Sequence, residues 1–330
     1  MPVVYYISLQ LCDTAIPNVN TPKTALGTYR ILSPRCGLRV SPLCLGAMGI
    51  GEAWSSYMGN ITKEEALKLL DTYYDAGGNF IDTSNNYQDE QSEEWLGDWM
   101  EGRKNRDQIV LATKFTTSHK QHEIARAGRG VGANYGGNHA KSLHIALRDS
   151  LRKLKTDYID ILYVHWWEYT TSIEEMMRAL DDVVRSGKVL YLGVCNLPAW
   201  IVAKANQYAR DHALTPFVVY QGLWNIMTRD MERDIIPMCI EEGMAIAPWG
   251  SVGEGVKTRL RSASNLVRSF ALILDKDSLH LKKNYPLLWR RSERNSARLL
   301  RLSLLHTASN AARMCFPSSE ATRLRICSII

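Results

Sequence analysis

Four residues at the C-terminal ends of apolar runs could carry chemistry in this chain: Asp82 and Tyr87 in FIDTSNNY, Lys114 in VLATKF and His165 in ILYVHWW. Reducing a carbonyl requires hydride at carbon and a proton at oxygen. A tyrosine hydroxyl can give that proton, but with an ordinary pKa of about 10 it is a sluggish donor near neutral pH. A neighbouring ammonium favours the phenolate, so Lys114 is expected to lower the Tyr87 pKa while Asp82 holds the ammonium in place. His165 is expected to hydrogen-bond the substrate oxygen and orient the carbonyl. Any one of these residues alone would read as a cap or a satisfied core group; four at matching strand ends read as a site. By contrast His119, His122, His139 and His144 sit in or beside a loop without ligand spacing. They are read as solvated, and no metal site is implied.

The elements that would position these residues alternate along residues 40–255. Strand candidates are LCLGAM (43–48), NFIDT (79–83), IVLATKF (109–115), YIDILYVH (158–165), VLYLGVC (189–195), FVVYQGLW (217–224) and MAIAPW (244–249). Helical patterns lie between them. Thr62 opens a capping box with Glu65, and an apolar stripe at Ala66, Leu67, Leu70 and Tyr73/Tyr74 runs to Gly77-Gly78. Further helices are expected over 91–101, 139–154, 173–186, 198–211 and 230–242. Strands separated by helices make right-handed βαβ units and a parallel sheet. Seven such units in one domain point to an α/β fold of the (β/α)8 barrel type, the eighth unit missing or replaced. A doubly wound open sheet is disfavoured because no strand is followed by GxGxxG. Ahead of the barrel, TYRILSPRCGLRVS reads as a hairpin around Pro34–Gly37 that plugs the barrel's lower face. Residues 116–138, Gly-rich and long for a βα connection, read as a mobile lid or as disordered.

The division expected is a lead-in and hairpin over 1–41, the barrel over 42–255 and a tail over 256–330. The tail holds 15 Lys+Arg against 4 Asp+Glu and no glycine after Gly255, whereas the preceding residues are net acidic. Of the chain's 330 residues, 45% are hydrophobic, as in a globular protein. Its seven cysteines are scattered without CxxC spacing, which favours a reducing, cytosolic compartment. No run approaches the about eighteen apolar residues of a spanning helix, so neither membrane insertion nor secretion is indicated. The tail lacks aromatic interleaving or a recognised nucleic-acid motif, and nucleic acid is not expected as a partner.

In order along the chain, SPLCLGAM, NFIDTSNNYQDEQSEEWLG, IVLATKF, DYIDILYVHWW, GKVLYLGVCN and VVYQGLWN resemble the aldo-keto reductase family over about residues 25–255, closest to its fungal aryl-alcohol dehydrogenase and norsolorinic acid reductase branch. The resemblance implies NADP(H)-dependent reduction of an aldehyde or ketone, with Tyr87 as general acid, Lys114 and Asp82 as its tuning pair and His165 as the orienting group. It further implies that Asn196 and Gln221 hydrogen-bond the nicotinamide carboxamide and that Trp249 stacks on its ring. Cys195, a weaker hydrogen-bonding partner, stands where most relatives have serine. Trp54, Trp166 and Trp167 would rim a pocket suited to a flat aromatic or polycyclic carbonyl, and the branch suggests fungal secondary metabolism. Beyond SVGEG the family's phosphate-contacting loop and adenosine-gripping segment are not legible. The tail therefore reads either as a basic appendage that binds a partner or, preferably, as out-of-frame translation, and a catalytically impaired barrel is the alternative to an active reductase.

Overall fold

The computed structural model describes residue 22 and residues 24–225, 227–251 and 328–329. An antiparallel hairpin of β1 (Arg30–Ser33) and β2 (Cys36–Val40) comes first. Then follow β3 (Leu43–Gly46), the single-turn α1 (Ser55–Met58), α2 (Lys63–Asp75), β4 (Phe80–Asp82), α3 (Gln91–Arg103), β5 (Val110–Phe115), α4 (Gln121–Ala127) and α5 (Ala140–Lys153). The series continues through β6 (Ile159–Val164), α6 (Ile173–Arg185), β7 (Val189–Cys195), α7 (Ala199–Asp211), β8 (Phe217–Leu223), α8 (Ile235–Glu242) and β9 (Ala245–Trp249). Strands β3 to β9 pair in chain order, all parallel, in a sheet that curls into a nearly closed barrel.

The gap between the edge strands is taken by the two residues of β10 (Ser328–Ile329). They pair in parallel with Leu43 and Cys44 and lie beside β9. An unpaired edge exposes backbone donors and acceptors, and even two residues in this position shorten it. The FALILD segment (270–275), which could also serve as such a strand, and residues 256–327 as a whole lie outside the described residues.

Strand periodicity decides what faces inward. In β5, Val110 and Ala112 join a cluster with Phe80, Ile161, Tyr163, Val219, Ala245 and Ala247 in the barrel interior, whereas Leu111 and Phe115 join the layer between sheet and helices. Leu32, Cys36 and Val40 of the hairpin belong to the interior cluster, so the hairpin closes the end where the strands begin. Gly193 on β7 makes room for the Tyr163 ring: a Cβ there would lie 2.6 Å from two ring carbons and 2.9 Å from Val219. Gly193→Ala should therefore destabilise the fold by about 1–3 kcal/mol through overpacking, read as a lower urea midpoint with an unchanged slope.

Local signals explain most boundaries. Thr62 and Glu65 form the expected capping box on α2, and Ser172 caps α6 through the Glu175 amide. The helix expected over 230–242 is split into a 3-10 turn at Asp230–Glu232 and α8. Pro237 explains the break. In one continuous helix it would remove an interior hydrogen bond, but in the first turn of α8 its missing N–H costs nothing.

Residues 116–138 are an ordered connection rather than a structureless one. They hold α4, which ends at Gly128 with φ 62°, and both ends of the segment are tied down. The Asn138 side chain donates to the Thr116 hydroxyl and to the Trp166 carbonyl and accepts from the Glu168 amide. The Gly137 amide donates to the Thr116 carbonyl.

Candidate active site

The alternation that fills the interior also ends each strand with a polar group at the C-terminal mouth. The inward position there is Asp82 on β4, Lys114 on β5, Cys195 on β7, Gln221 on β8 and Trp249 on β9, with His165 one residue beyond β6. Parallel barrels deliver their last inward side chains to one layer at this end.

Lys114 is the centre of that layer. Its ammonium, fully buried, donates to Asp82 Oδ2 at 2.6 Å, to the Thr83 carbonyl at 2.7 Å and to the Tyr87 hydroxyl at 3.3 Å. Tyr87 comes from the loop after β4. Its ring meets the His165 imidazole edge-on at 5.9 Å between centroids and the Trp54 indole at 6.2 Å. His165 Nδ1 lies 3.3 Å from the Ser84 hydroxyl and 3.5 Å from that of Thr117. All four sequence-selected residues thus converge on one point.

Electrostatics differ from expectation in one respect. The Tyr87 hydroxyl is pushed up to about 12, because loss of water around it outweighs the lowering by Lys114. Lys114 does act downward, as the sequence suggested, but burial wins. Burial also works against the Lys114 charge, yet Asp82 more than compensates and the ammonium is held above its ordinary range. His165 is driven down to about 3 by burial and by the nearby Lys114 charge, so its imidazole is neutral at physiological pH.

Gln221 Nε2 donates to Asp82 Oδ1 at 3.1 Å, and Gln221 Oε1 accepts from the Cys195 thiol at 3.5 Å. Asn196, with φ 57°, is exposed at the rim; its amide donates to Cys195 Sγ at 3.2 Å and accepts from Trp249 Nε1 at 3.2 Å. Asn196, Gln221 and Trp249 are therefore joined through Cys195 into one hydrogen-bonded chain that ends on Asp82. An exposed carboxamide beside a partly exposed indole fits the amide and ring of a nicotinamide. The residues expected at the phosphate and adenosine end lie outside the described residues.

The three rim tryptophans separate. Trp54 packs on Tyr87 and donates to Asp89 Oδ1 at 2.9 Å, and Trp166, 41% exposed, donates to the Thr117 hydroxyl. Trp167 instead belongs to the layer between sheet and helices, 8% exposed. The run HWW leaves the strand and turns, so adjacent positions face opposite ways.

Sequence reading missed a second polar cluster behind the first. His119 is buried rather than solvated: Nε2 lies 3.0 Å from Asp149 Oδ2 and Nδ1 3.4 Å from the Asn85 amide, and burial holds its pKa below the usual imidazole range. His139 caps α5 by accepting from the Ser142 amide. Ligand atoms of Glu90, His122 and Glu123 fall within 4.8 Å of one another, but Lys120 bridges both carboxylates at 2.8 Å and supplies the positive charge there. Lys153 and Glu93, wholly buried, pair at 2.7 Å. Their only sequence signal was a Lys and a Glu on the apolar faces of otherwise amphipathic helices.

Residues 42–271 match the aldo/keto reductase family. The chain is 57% identical over 227 residues to norsolorinic acid reductase B of Dothistroma septosporum, covering 69% of this chain and 57% of that protein. It is 59% identical over 239 residues to an aryl-alcohol dehydrogenase of Phanerodontia chrysosporium whose name specifies NADP(+), covering 71% and 61%. To norsolorinic acid reductase A of Aspergillus parasiticus it is 50% identical over 265 residues, covering 80% and 66%. The chain spans about three fifths of the length of the curated relatives it matches.

Proposed function

This chain belongs to the aldo/keto reductase family, and we propose that it reduces an aldehyde or ketone, aromatic or polycyclic, to the alcohol with NADP(H) as reductant. The observation that carries this reading is the Lys114 ammonium set 2.6 Å from Asp82 and 3.3 Å from the Tyr87 hydroxyl at the barrel mouth. NADPH bound beside Trp249 and Asn196 would supply the hydride that reaches the carbonyl carbon. Tyr87 gives its proton to the carbonyl oxygen, and Lys114 stabilises the phenolate left behind. His165, neutral, donates one hydrogen bond to the same oxygen and fixes its direction. Asn196 and Gln221 are proposed to orient the nicotinamide amide, and Trp54 and Trp166 to flank the substrate.

Relatives named for norsolorinic acid and for aryl alcohols support a flat aromatic substrate and a role in fungal secondary metabolism. Among the described residues, Cys36, Cys195 and Cys239 are buried thiols outside any disulfide, which supports a reducing, cytosolic compartment. Among the described residues no helix is long and apolar enough to cross a membrane.

The test is oxidation of NADPH, followed by absorbance, with a panel of aromatic aldehydes. Tyr87 stays protonated up to about 12 and His165 stays neutral down to about 3. Neither ionises between, so kcat/KM for reduction should be flat from about pH 5 to 9. The reverse reaction needs the phenolate, whose fraction grows about tenfold per pH unit below its pKa, so alcohol oxidation should rise steadily with pH. Absence of turnover with every carbonyl tried, or a reduction profile breaking near pH 6–7 as an ordinary imidazole would impose, would overturn the assignment.

A further inference from the structure

Tyr87 is followed by backbone that ordinary side chains avoid. Gln88, Asp89 and Glu90 have φ 52°, 50° and 81°, three successive non-glycine residues in the left-handed region. Such a run persists only where its surroundings hold it. Gln88 is held by donating to the Met48 carbonyl at 2.9 Å and accepting from the Trp54 amide at 2.8 Å. Gly51 permits this, since a Cβ there would lie 2.4 Å from the Gln88 side chain. Glu90 is held by charge: its buried carboxylate meets Lys153 at 3.0 Å and Lys120 at 2.8 Å.

Lys153, the last residue of α5, also donates to the Asn85 carbonyl at 2.8 Å and pairs with Glu93 at 2.7 Å. Glu93 in turn accepts from Thr113 on β5 at 2.6 Å and from Ser150 at 3.1 Å. The close approach of α3 to the end of α5 makes this possible: a Cβ on Gly97 would stand 2.1 Å from the Lys153 carbonyl. Thr113 points outward on the strand whose next residue, Lys114, points inward. One buried ammonium therefore touches the chain two residues before Tyr87 and three residues after it, and its partner carboxylate touches the strand that carries Lys114.

We infer that Lys153 is a positioning residue for Tyr87: by gripping the Asn85 carbonyl and the Glu90 carboxylate it fixes the loop that sets the tyrosine hydroxyl against Lys114. The inference deepens the proposed carbonyl reduction and rests on it for the meaning of Tyr87, although the grip itself is testable without turnover. A Lys153 that merely neutralised Glu93 would affect global stability and leave the loop after β4 no looser than the rest of the barrel.

The experiment is hydrogen exchange by mass spectrometry on the full chain, wild type against Lys153→Met, read on the peptide spanning 83–92. That peptide contains the Tyr87 amide, which donates to the Ser84 carbonyl at 3.2 Å, and the Ser92 amide, which donates to the Tyr87 carbonyl at 3.4 Å. Its exchange should quicken by about tenfold or more in Lys153→Met. Leu180→Ala, a core truncation on α6 that lowers global stability, should leave it as protected as in wild type. Where the wild type reduces aldehydes, Lys153→Met should lower kcat by about tenfold or more with substrate KM within about twofold.

Glu90→Gln keeps shape and removes the charge, and it should quicken the same peptide about threefold; it decides the question if Lys153→Met does not fold. Wild-type exchange over 83–92 in folded Lys153→Met or in Glu90→Gln, or equal loosening in Leu180→Ala, overturns the inference. A wild type without turnover would instead sink the functional proposal and leave the exchange result to stand on its own.

Discussion

Replacing Tyr87 by phenylalanine should lower kcat/KM for carbonyl reduction by about a thousandfold, the middle of the range that a positioned general acid contributes. The expected loss falls on kcat. Phenylalanine keeps the ring that stands edge-on to His165 and Trp54, so the walls of the mouth are preserved. The hydroxyl removed accepts one hydrogen bond, from Lys114, which retains its contacts to Asp82 and the Thr83 carbonyl. Folding and nicotinamide dinucleotide binding, followed by quenching of tryptophan fluorescence, should therefore change little. Turnover within about tenfold of wild type would mean that water or another group delivers the proton.

Lys114→Met should damage both catalysis and the fold. Asp82 would remain buried with only the Gln221 amide as a side-chain donor, and the Thr83 carbonyl would lose its partner. Breaking a buried ion pair by removing one member costs about 3–5 kcal/mol, because the surviving charge is left without compensation. The double variant Lys114→Met/Asp82→Asn removes that charge and should recover a large part of the loss. Urea unfolding of the two single variants and the double separates the terms. Catalysis should not recover with stability. With burial already pushing Tyr87 up to about 12, losing the one ammonium that lowers it drives the phenol higher and makes the phenolate of the transition state costlier. A double variant no more stable than Lys114→Met would show that Asp82 is not charged in the fold.

The seven strands, the longer helices between them and the convergence of Asp82, Tyr87, Lys114 and His165 were legible because each depends on local periodicity. Inward and outward positions alternate along a strand, so a polar residue at the end of an apolar run falls at the barrel mouth whatever the rest of the chain does. Trp167 was misread for the same reason in reverse: beyond the strand end the alternation stops, and neither spacing nor residue type says that it turns into the helix layer while Trp166 stays at the rim.

What tertiary structure alone decided are the quantities set by neighbours distant in sequence. The rise of the Tyr87 pKa comes from how much water the mouth excludes, a property of several loops at once. Burial of His119 and the pairing of Lys153 with Glu93 and Glu90 join residues that are separated by 30, 60 and 63 positions or lie on different elements. The pairing of Ser328 and Ile329 with β3 spans nearly the whole chain. By itself the sequence determined which side chains reach the mouth, since that follows from a strand's two-residue repeat; only the fold decided how strongly each is charged and what holds it still, since desolvation and buried pairing depend on the packing of elements brought together from far along the chain.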